Sequence, residues 1–182
     1  MMAQVPSDVV ELVRTVRQAR QYKPDPVPKE AVDKLLEVAR WTGSSTNSQP
    51  WHFVVVRDKE KIRRIAMLRD RINWLAEAPL AIAIVMDNKN PMSESYDEGR
   101  VTERLLIAAR ALGLGGGVAW YGEDSHRAEA KRILGIPADR LARQVVAIGY
   151  VKSLEDPRGP RASSGRKPLA ELVSYDAWGQ PG

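Results

Sequence analysis

Leu80 to Met86 reads Leu-Ala-Ile-Ala-Ile-Val-Met and, with Pro79, forms the longest apolar run in the chain. That length suits a buried strand and falls well short of the roughly 20 residues of a membrane helix. A strand apolar at every position has no face to turn to water, so it belongs in the centre of a sheet. The rest of the chain must supply neighbouring strands and covering helices. At 182 residues it is long enough to do so as one domain, spanning 1–182, with a sizeable core.

Helical spacing of Val9, Val10, Leu12, Val13 and Val16 predicts a helix over Asp8 to Arg20, capped by Ser7 and stopped by Pro24 and Pro26. Pro28 opens a second helix, Lys29 to Trp41, with Val32, Leu35, Leu36, Val38 and Ala39 inward and Gly43 as its stop. A strand is expected over His52 to Val56. Residues 58–76 read as helical, with Asp58 as cap. Asp87 to Tyr96 is polar and reads as a loop, either a lid or a variable insertion. Residues 97–112 carry a strong helical pattern, with Val101, Leu105, Leu106, Ala108, Ala109 and Leu112 inward. A further helix is expected at Ser125 to Leu134, a strand at Gln144 to Val151 and a short helix at Pro168 to Val173. The strict strand–helix alternation of a doubly wound fold is missing. The expected class is therefore α+β, with a mixed sheet of about four or five strands flanked by helices.

Composition narrows the function. The chain has no cysteine, which excludes disulfides, thiol catalysis and thiolate metal sites, and its two histidines argue against a histidine-rich metal centre. Its 28 basic and 23 acidic residues mostly alternate along helix-like segments. That pattern reads as a solvated surface rather than a nucleic-acid patch, and no zinc-finger or RNP-type motif is present. Residues 1–7 lack a signal-peptide pattern, so the reading is cytoplasmic and not membrane-bound.

Three stretches carry chemistry. Gly43-Ser44-Ser45-Thr46-Asn47-Ser48-Gln49-Pro50-Trp51 joins a helix to a strand. Its neutral donors and acceptors suit a ligand ringed with similar groups, held by the rigid elements on either side. Arg17, Arg20 and Lys23 put three cations within seven residues, which is either a solvated helix end or an anion site. Gly113-Leu114-Gly115-Gly116-Gly117-Val118-Ala119-Trp120-Tyr121 leads from a helix into a strand. A dinucleotide fingerprint runs strand, glycines, helix, and is rejected. A glycine helix cap explains one or two of these glycines, and close approach of a chain or flat ligand explains the rest. Asp156 to Lys167, with Arg158, Arg161, Arg166 and Lys167, is too polar to pack alone and must lie across something or stay unstructured. Trp178 in the tail either docks on a partner subunit or packs on its own chain.

Taken together, the Arg-containing segment, the Ser-Ser-Thr-Asn-Ser-Gln-Pro-Trp loop, the Gly-rich turn into a strand and the late Arg166-Lys167-Pro168 resemble the nitroreductase family of flavoproteins. The resemblance covers nearly the whole chain in the family's order, and the loop is its most specific part. It implies a homodimer with two equivalent FMN sites at the subunit interface. It also implies ping-pong hydride chemistry, with NADH or NADPH as donor and a nitroaromatic, quinone or similar acceptor.

Carried over by position, Arg17 and Gln18 match the segment at the FMN phosphate and ribityl chain. The family usually reads Arg-Arg-Ser there, where this chain has Val16-Arg17-Gln18. Arg20 matches a basic position beside flavin N1 and O2, where a fixed cation stabilises negative charge. Ser44, Ser45, Asn47 and Gln49 match the loop that reaches the partner's flavin. Gly117, Val118 and Trp120 match the strand whose backbone lies by the ring. Arg166 matches a phosphate-binding arginine, whose guanidinium fork suits that group. The resemblance implies no acid–base catalytic residue, because hydride transfer needs position and tuning rather than proton transfer. His52 reads as a packed or surface histidine. Two alternatives share the pattern. One is a flavoprotein of the same fold that fragments its flavin or removes halogen, and the other is a non-catalytic flavin-binding module.

Overall fold

The computed structural model describes residues 8–154 and 165–180. Ser7, Arg158 and Arg161 lie outside them. Helix α1 is Val9–Thr15, strand β1 Gln21–Tyr22, α2 Lys29–Arg40, β2 Trp51–Val56, α3 Lys59–Ala66 and β3 Leu80–Met86. Then follow α4 Pro91–Ala111, β4 Gly115–Trp120, α5 Asp124–Leu134, β5 Leu141–Gly149 and β6 Val151–Ser153. Four strands form one sheet in the order β2-β3-β5-β4, and β1 pairs with β6 in a separate two-stranded sheet. The α+β class and the strand number agree with the sequence reading. The ladders are all antiparallel, where a mixed sheet was expected.

β3 is central and buried at all seven positions. Its alternation sorts side chains by size. Ala81, Ala83 and Val85 face a core built with α3, α5 and the 3-10 turn Asp70–Glu77, which includes Ile62, Ile65, Leu75 and Ile133. Leu80, Ile82, Ile84 and Met86 face α2 and α4, against Val32, Leu35, Val101 and Leu105. Period-2 alternation sends successive side chains to opposite layers, so one continuous apolar run serves both.

Several boundaries differ from expectation, each for a local or long-range reason. α1 stops at Thr15, well before the prolines, and of its expected stripe only Leu12 is buried. Residues 16–22 are instead claimed by distant partners. The Ala19 N–H donates to Gly116 O at 2.8 Å, and Lys23 N–H to Tyr150 O at 2.8 Å. The expected loop over 87–96 is half helix, because α4 begins at Pro91. Pro fits a first helical turn. The Glu94 carboxylate also accepts from the N–H groups of Asn88, Lys89 and Asn90 at 2.8, 2.8 and 2.9 Å. The predicted 58–76 helix is α3 followed by the separate Asp70–Glu77 turn, with the Asp58 side chain capping α3 as expected. α2 is closed by Trp41, without left-handed backbone at Gly43. The C-terminal helix is a single 3-10 turn, Leu169–Glu171.

β5 carries a bulge. Ala83 of β3 faces Val145, yet Val85 faces Ala142. The extra residue lets two consecutive side chains reach α4, as a bulge can re-aim side chains. Arg143 pairs with Glu98, and Gln144 Nε2 donates to Thr102 Oγ1 at 2.6 Å.

Candidate functional site

The chain gathers the sequence-predicted residues into two clusters and leaves one apart. The first cluster lies on β4, an outer strand of the four-stranded sheet. An outer strand exposes backbone groups that something must satisfy. Here the extended strip 16–22 does so. Gly116 O accepts from Ala19, and the Val118 N–H donates to Gln18 Oε1 at 3.2 Å. Tyr22, buried, donates its hydroxyl to Ala19 O at 2.7 Å and so locks the strip's turn. Burial pushes that phenol up, and Arg20 nearby only partly opposes it, so Tyr22 stays a neutral donor.

The approach of strip and strand depends on glycine. A Cβ at Gly117 would lie 2.1 Å from Ala19 O, 2.9 Å from Tyr22 Oη and 3.0 Å from the Trp74 ring. Gln18, Arg20, Gly117, Val118 and Trp120 therefore form one neighbourhood. Two groups the sequence did not single out complete it. Trp74 stands under Arg20, whose guanidinium is 5.8 Å from the ring centre. Arg69 stands over half-exposed Trp120 at 5.4 Å and donates to Trp120 O at 3.1 Å. The result is a shelf along the edge of β4, with Trp74 on the Ala119 side of the strand and Trp120 on the Val118 side, whose backbone, rings and guanidinium groups favour flat, electron-rich or anionic ligands. Arg17 sits at its margin, its guanidinium donating to Arg14 O and Val16 O at 3.2 and 2.9 Å.

The second cluster is the 43–50 loop. It contains a 3-10 turn, Ser45–Asn47, and Ser44 Oγ accepts from the Gln49 N–H at 2.9 Å. Thr46, Asn47 and Gln49 have φ of 51, 55 and 48°. Left-handed backbone is disfavoured for non-glycine residues and recurs at functional loops. Asn47 and Gln49 are exposed, so their amides face outward. This loop precedes β2, the opposite outer strand of the sheet. Three strand spacings, about 14 Å, separate the two edges. Arg166 is also exposed and belongs to neither cluster.

A cavity of about 400 Å³ lined by His52, Val54, Val85, Ile136 and Arg140 contains none of these residues. His52 itself is exposed. Among the described residues no cluster of His, Cys, Asp and Glu is arranged to hold a metal ion, and no helix is long and apolar enough to cross a membrane.

The nitroreductase family model matches residues 13–72, which include the strip and the loop. A putative NADH dehydrogenase/NAD(P)H nitroreductase of Methanothermobacter thermautotrophicus is 34% identical over 151 residues, covering 79% of this chain and 77% of that protein. The chain belongs to the nitroreductase family. Solved nitroreductases share its fold. An FMN-dependent nitroreductase from Clostridium difficile superposes with a TM-score of 0.80 at 25% identity, over 93% of this chain and 99% of that one. A putative nitroreductase from Desulfovibrio desulfuricans, solved in complex with FMN, gives 0.75 at 27% identity, over 92% and 96%. Shorter stretches match proteins named for other reactions. The 5,6-dimethylbenzimidazole synthase of Rhodospirillum rubrum is 30% identical over 57% of this chain and 64% of that protein. The iodotyrosine deiodinase of Danio rerio is 38% identical over 35% of this chain and 22% of that protein.

Arg69 and Trp74 escaped the sequence reading because no local pattern marks them. Both come from the stretch between α3 and β3, which meets β4 only in three dimensions. Their residue types were the available signal, since tryptophan and arginine side by side favour cation–π contact.

Proposed function

We propose that this member of the nitroreductase family is an FMN-dependent oxidoreductase. It takes hydride from NADH or NADPH and reduces nitroaromatic, quinone or similar acceptors by a ping-pong mechanism. The observation that carries the reading is the strip–strand shelf. It places the Arg20 guanidinium and the Trp74 and Trp120 rings along one glycine-rich backbone edge.

The residues present fit FMN. Bound FMN supplies a ring that accepts a hydride from a nicotinamide and returns two electrons to an acceptor. Arg20 offers a fixed positive charge to the pyrimidine side of such a ring. By the family resemblance, Gln18 would face the ribityl chain, and Arg17 and Arg166 would offer guanidinium groups to the phosphate. The β4 backbone from Gly117 to Trp120 supplies a flat wall. Ser44, Ser45, Asn47 and Gln49 present neutral donors and acceptors, but from the far edge of the sheet. A second copy of the chain, turned so that its loop meets this shelf, would complete the site. The exposed Val9, Val10, Trp41 and Tyr96 give such a homodimer apolar surface to bury. No side chain is assigned proton transfer. The chain's work is to hold and orient the ring, exclude water and tune charge.

The test is an absorption spectrum of protein incubated with FMN and desalted, then titrated anaerobically with NADH and with NADPH. Retained flavin that bleaches with either nucleotide is the expected result, and it names the preferred donor. Failure to retain flavin would end the proposal. Retained flavin bleached by neither nucleotide would favour the second reading, to which the synthase and deiodinase matches lend weight. In that reading the same fold performs flavin fragmentation, dehalogenation or flavin binding alone.

Arg166→Ala is expected to weaken FMN binding by about 1.5–3 kcal/mol, the scale of a hydrogen bond to a charged group. Riboflavin, which lacks the phosphate, should lose nothing. Isothermal titration with both ligands checks this, and equal losses would remove Arg166 from the phosphate.

A further inference from the structure

The 43–50 loop is held from outside as well as by its own Ser44–Gln49 hydrogen bond. Three side chains from one face of α4 grip its root. Asp97 Oδ2 accepts from the Ser45 N–H at 3.3 Å. Asp97 Oδ1 accepts from Arg100 Nη1 at 3.3 Å, and the same guanidinium nitrogen donates to Gly43 O at 3.3 Å. One turn further along, Arg104 Nη1 donates to Trp41 O at 2.8 Å. Positions 97, 100 and 104 share a helix face by their spacing of three and four. The chain entering the loop, from Trp41 to Ser45, is thus tied to a single rigid rod.

Two features separate this grip from ordinary surface pairing. Asp97 is only 2% exposed. Burying a carboxylate is costly even when it is paired, and an apolar residue at such a position often serves stability as well or better. A buried carboxylate here is therefore better explained by what it orients. The backbone it orients is the part that needs support, because Thr46, Asn47 and Gln49 follow directly in left-handed conformations.

We infer that Asp97 and Arg100 are positioning residues for the flavin loop. They fix Ser45 and, through it, the presentation of Asn47 and Gln49 to FMN. This inference rests on the FMN reading above. It adds a role for α4, which carries no proposed ligand contact of its own.

The experiment measures FMN affinity and release rate by flavin fluorescence for the wild-type protein and for Asp97→Ala, Asp97→Asn and Arg100→Met. Amide hydrogen exchange of the flavin-free proteins is followed in parallel. Asp97→Ala is expected to bind FMN roughly tenfold more weakly, about the upper end of the net contribution of one hydrogen bond. The loss should appear mainly as faster release. Asp97→Asn, whose Oδ1 can still accept from Ser45, is expected to recover most of it. The Ser45 amide should exchange faster in Asp97→Ala, while the amides of β3 keep their protection.

Arg100 is largely exposed at its side chain, so Arg100→Met tests the grip without disturbing the core. It should show a smaller loss of the same kind. Unchanged FMN affinity and unchanged Ser45 exchange in Asp97→Ala and Arg100→Met would overturn the inference while leaving the FMN reading intact. A loss of protection spread through β3 as well would overturn it in favour of a structural role. A wild-type protein that binds no FMN would overturn both.

Discussion

Arg143→Met is expected to cost about 3–5 kcal/mol of folding stability at pH 8, the range for removing one partner of a buried ion pair. Glu98 is buried, and Arg143 from the β5 bulge is its guanidinium partner. Glu98 Oε1 has no hydrogen-bond partner even with Arg143 in place. Burial pushes the Glu98 carboxyl above its ordinary value of 4.5, and Arg143 opposes that rise both by charge and by hydrogen bonding. Without Arg143 the rise grows.

The pH dependence follows from the sign of that shift. Between the unfolded and the raised folded value, the folded state binds the extra proton, so stability falls as pH rises through the interval. Below about 4.5 both states carry a neutral carboxyl and the penalty vanishes. The variant should therefore be nearly as stable as the wild type near pH 4.5 and fall away from it towards pH 8. Urea unfolding at a series of pH values checks this. Adding Glu98→Gln to the variant should remove most of the pH dependence, and a flat difference between variant and wild type would refute the account.

Gly117→Ala is expected to cost about 3 kcal/mol, the upper part of the usual overpacking range. The added methyl would stand 2.1 Å from a backbone oxygen, Ala19 O, which cannot rotate out of the way. The strip must then lift from β4, giving up the Ala19 to Gly116 hydrogen bond and the Gln18 contact to Val118. The neighbouring glycine is the control. A Cβ at Gly116 first meets Leu106 Cδ2 at 2.6 Å, the far end of a flexible side chain. Gly116→Ala should therefore cost nearer 1 kcal/mol. Denaturant midpoints of the two variants compare them directly. Equal costs would mean that the strip is not held against β4 as described.

The parts of the fold legible in the sequence were those whose signal is local. The apolar run of β3 announced a central strand. The stripe of Val32, Leu35 and Ala39 announced α2, and Asp58 announced the start of α3. The misreadings share a cause. Arg17, Gln18, Ala19 and Arg20 are all good helix formers, yet they are extended because the Ala19 N–H bonds Gly116 O, the Gln18 side chain bonds the Val118 N–H, and the next residues, Gln21 and Tyr22, pair with β6. The polar stretch before Asp97 looked like a loop because its helix signal rests on capping. Asn90, Pro91 and Glu94 supply that signal without an apolar stripe. β5 was expected to begin at Gln144 because Arg143 interrupts its apolar pattern, and the bulge that excuses Arg143 has no sequence mark.

The same division runs through the site. The 44–51 loop declared itself by composition, whereas Arg69, Trp74, Asp97 and Arg100 matter only through partners far along the chain. The dispersal of the predicted residues over opposite edges of the sheet was likewise invisible without the strand order.

The pairing of Gln21 with Ser153 and of Tyr22 with Val151 sets an order of events during synthesis. A ribosome delivers Gln21 and Tyr22 well before β4, and β4 before Val151–Ser153. Contacts between such distant segments form only after a long loop has closed, and they form late. The central sheet can pair before β6 emerges, whereas the β1–β6 ladder cannot. The β1–β6 ladder therefore closes only once Val151–Ser153 has been made, and truncation just before Val151 would remove it altogether.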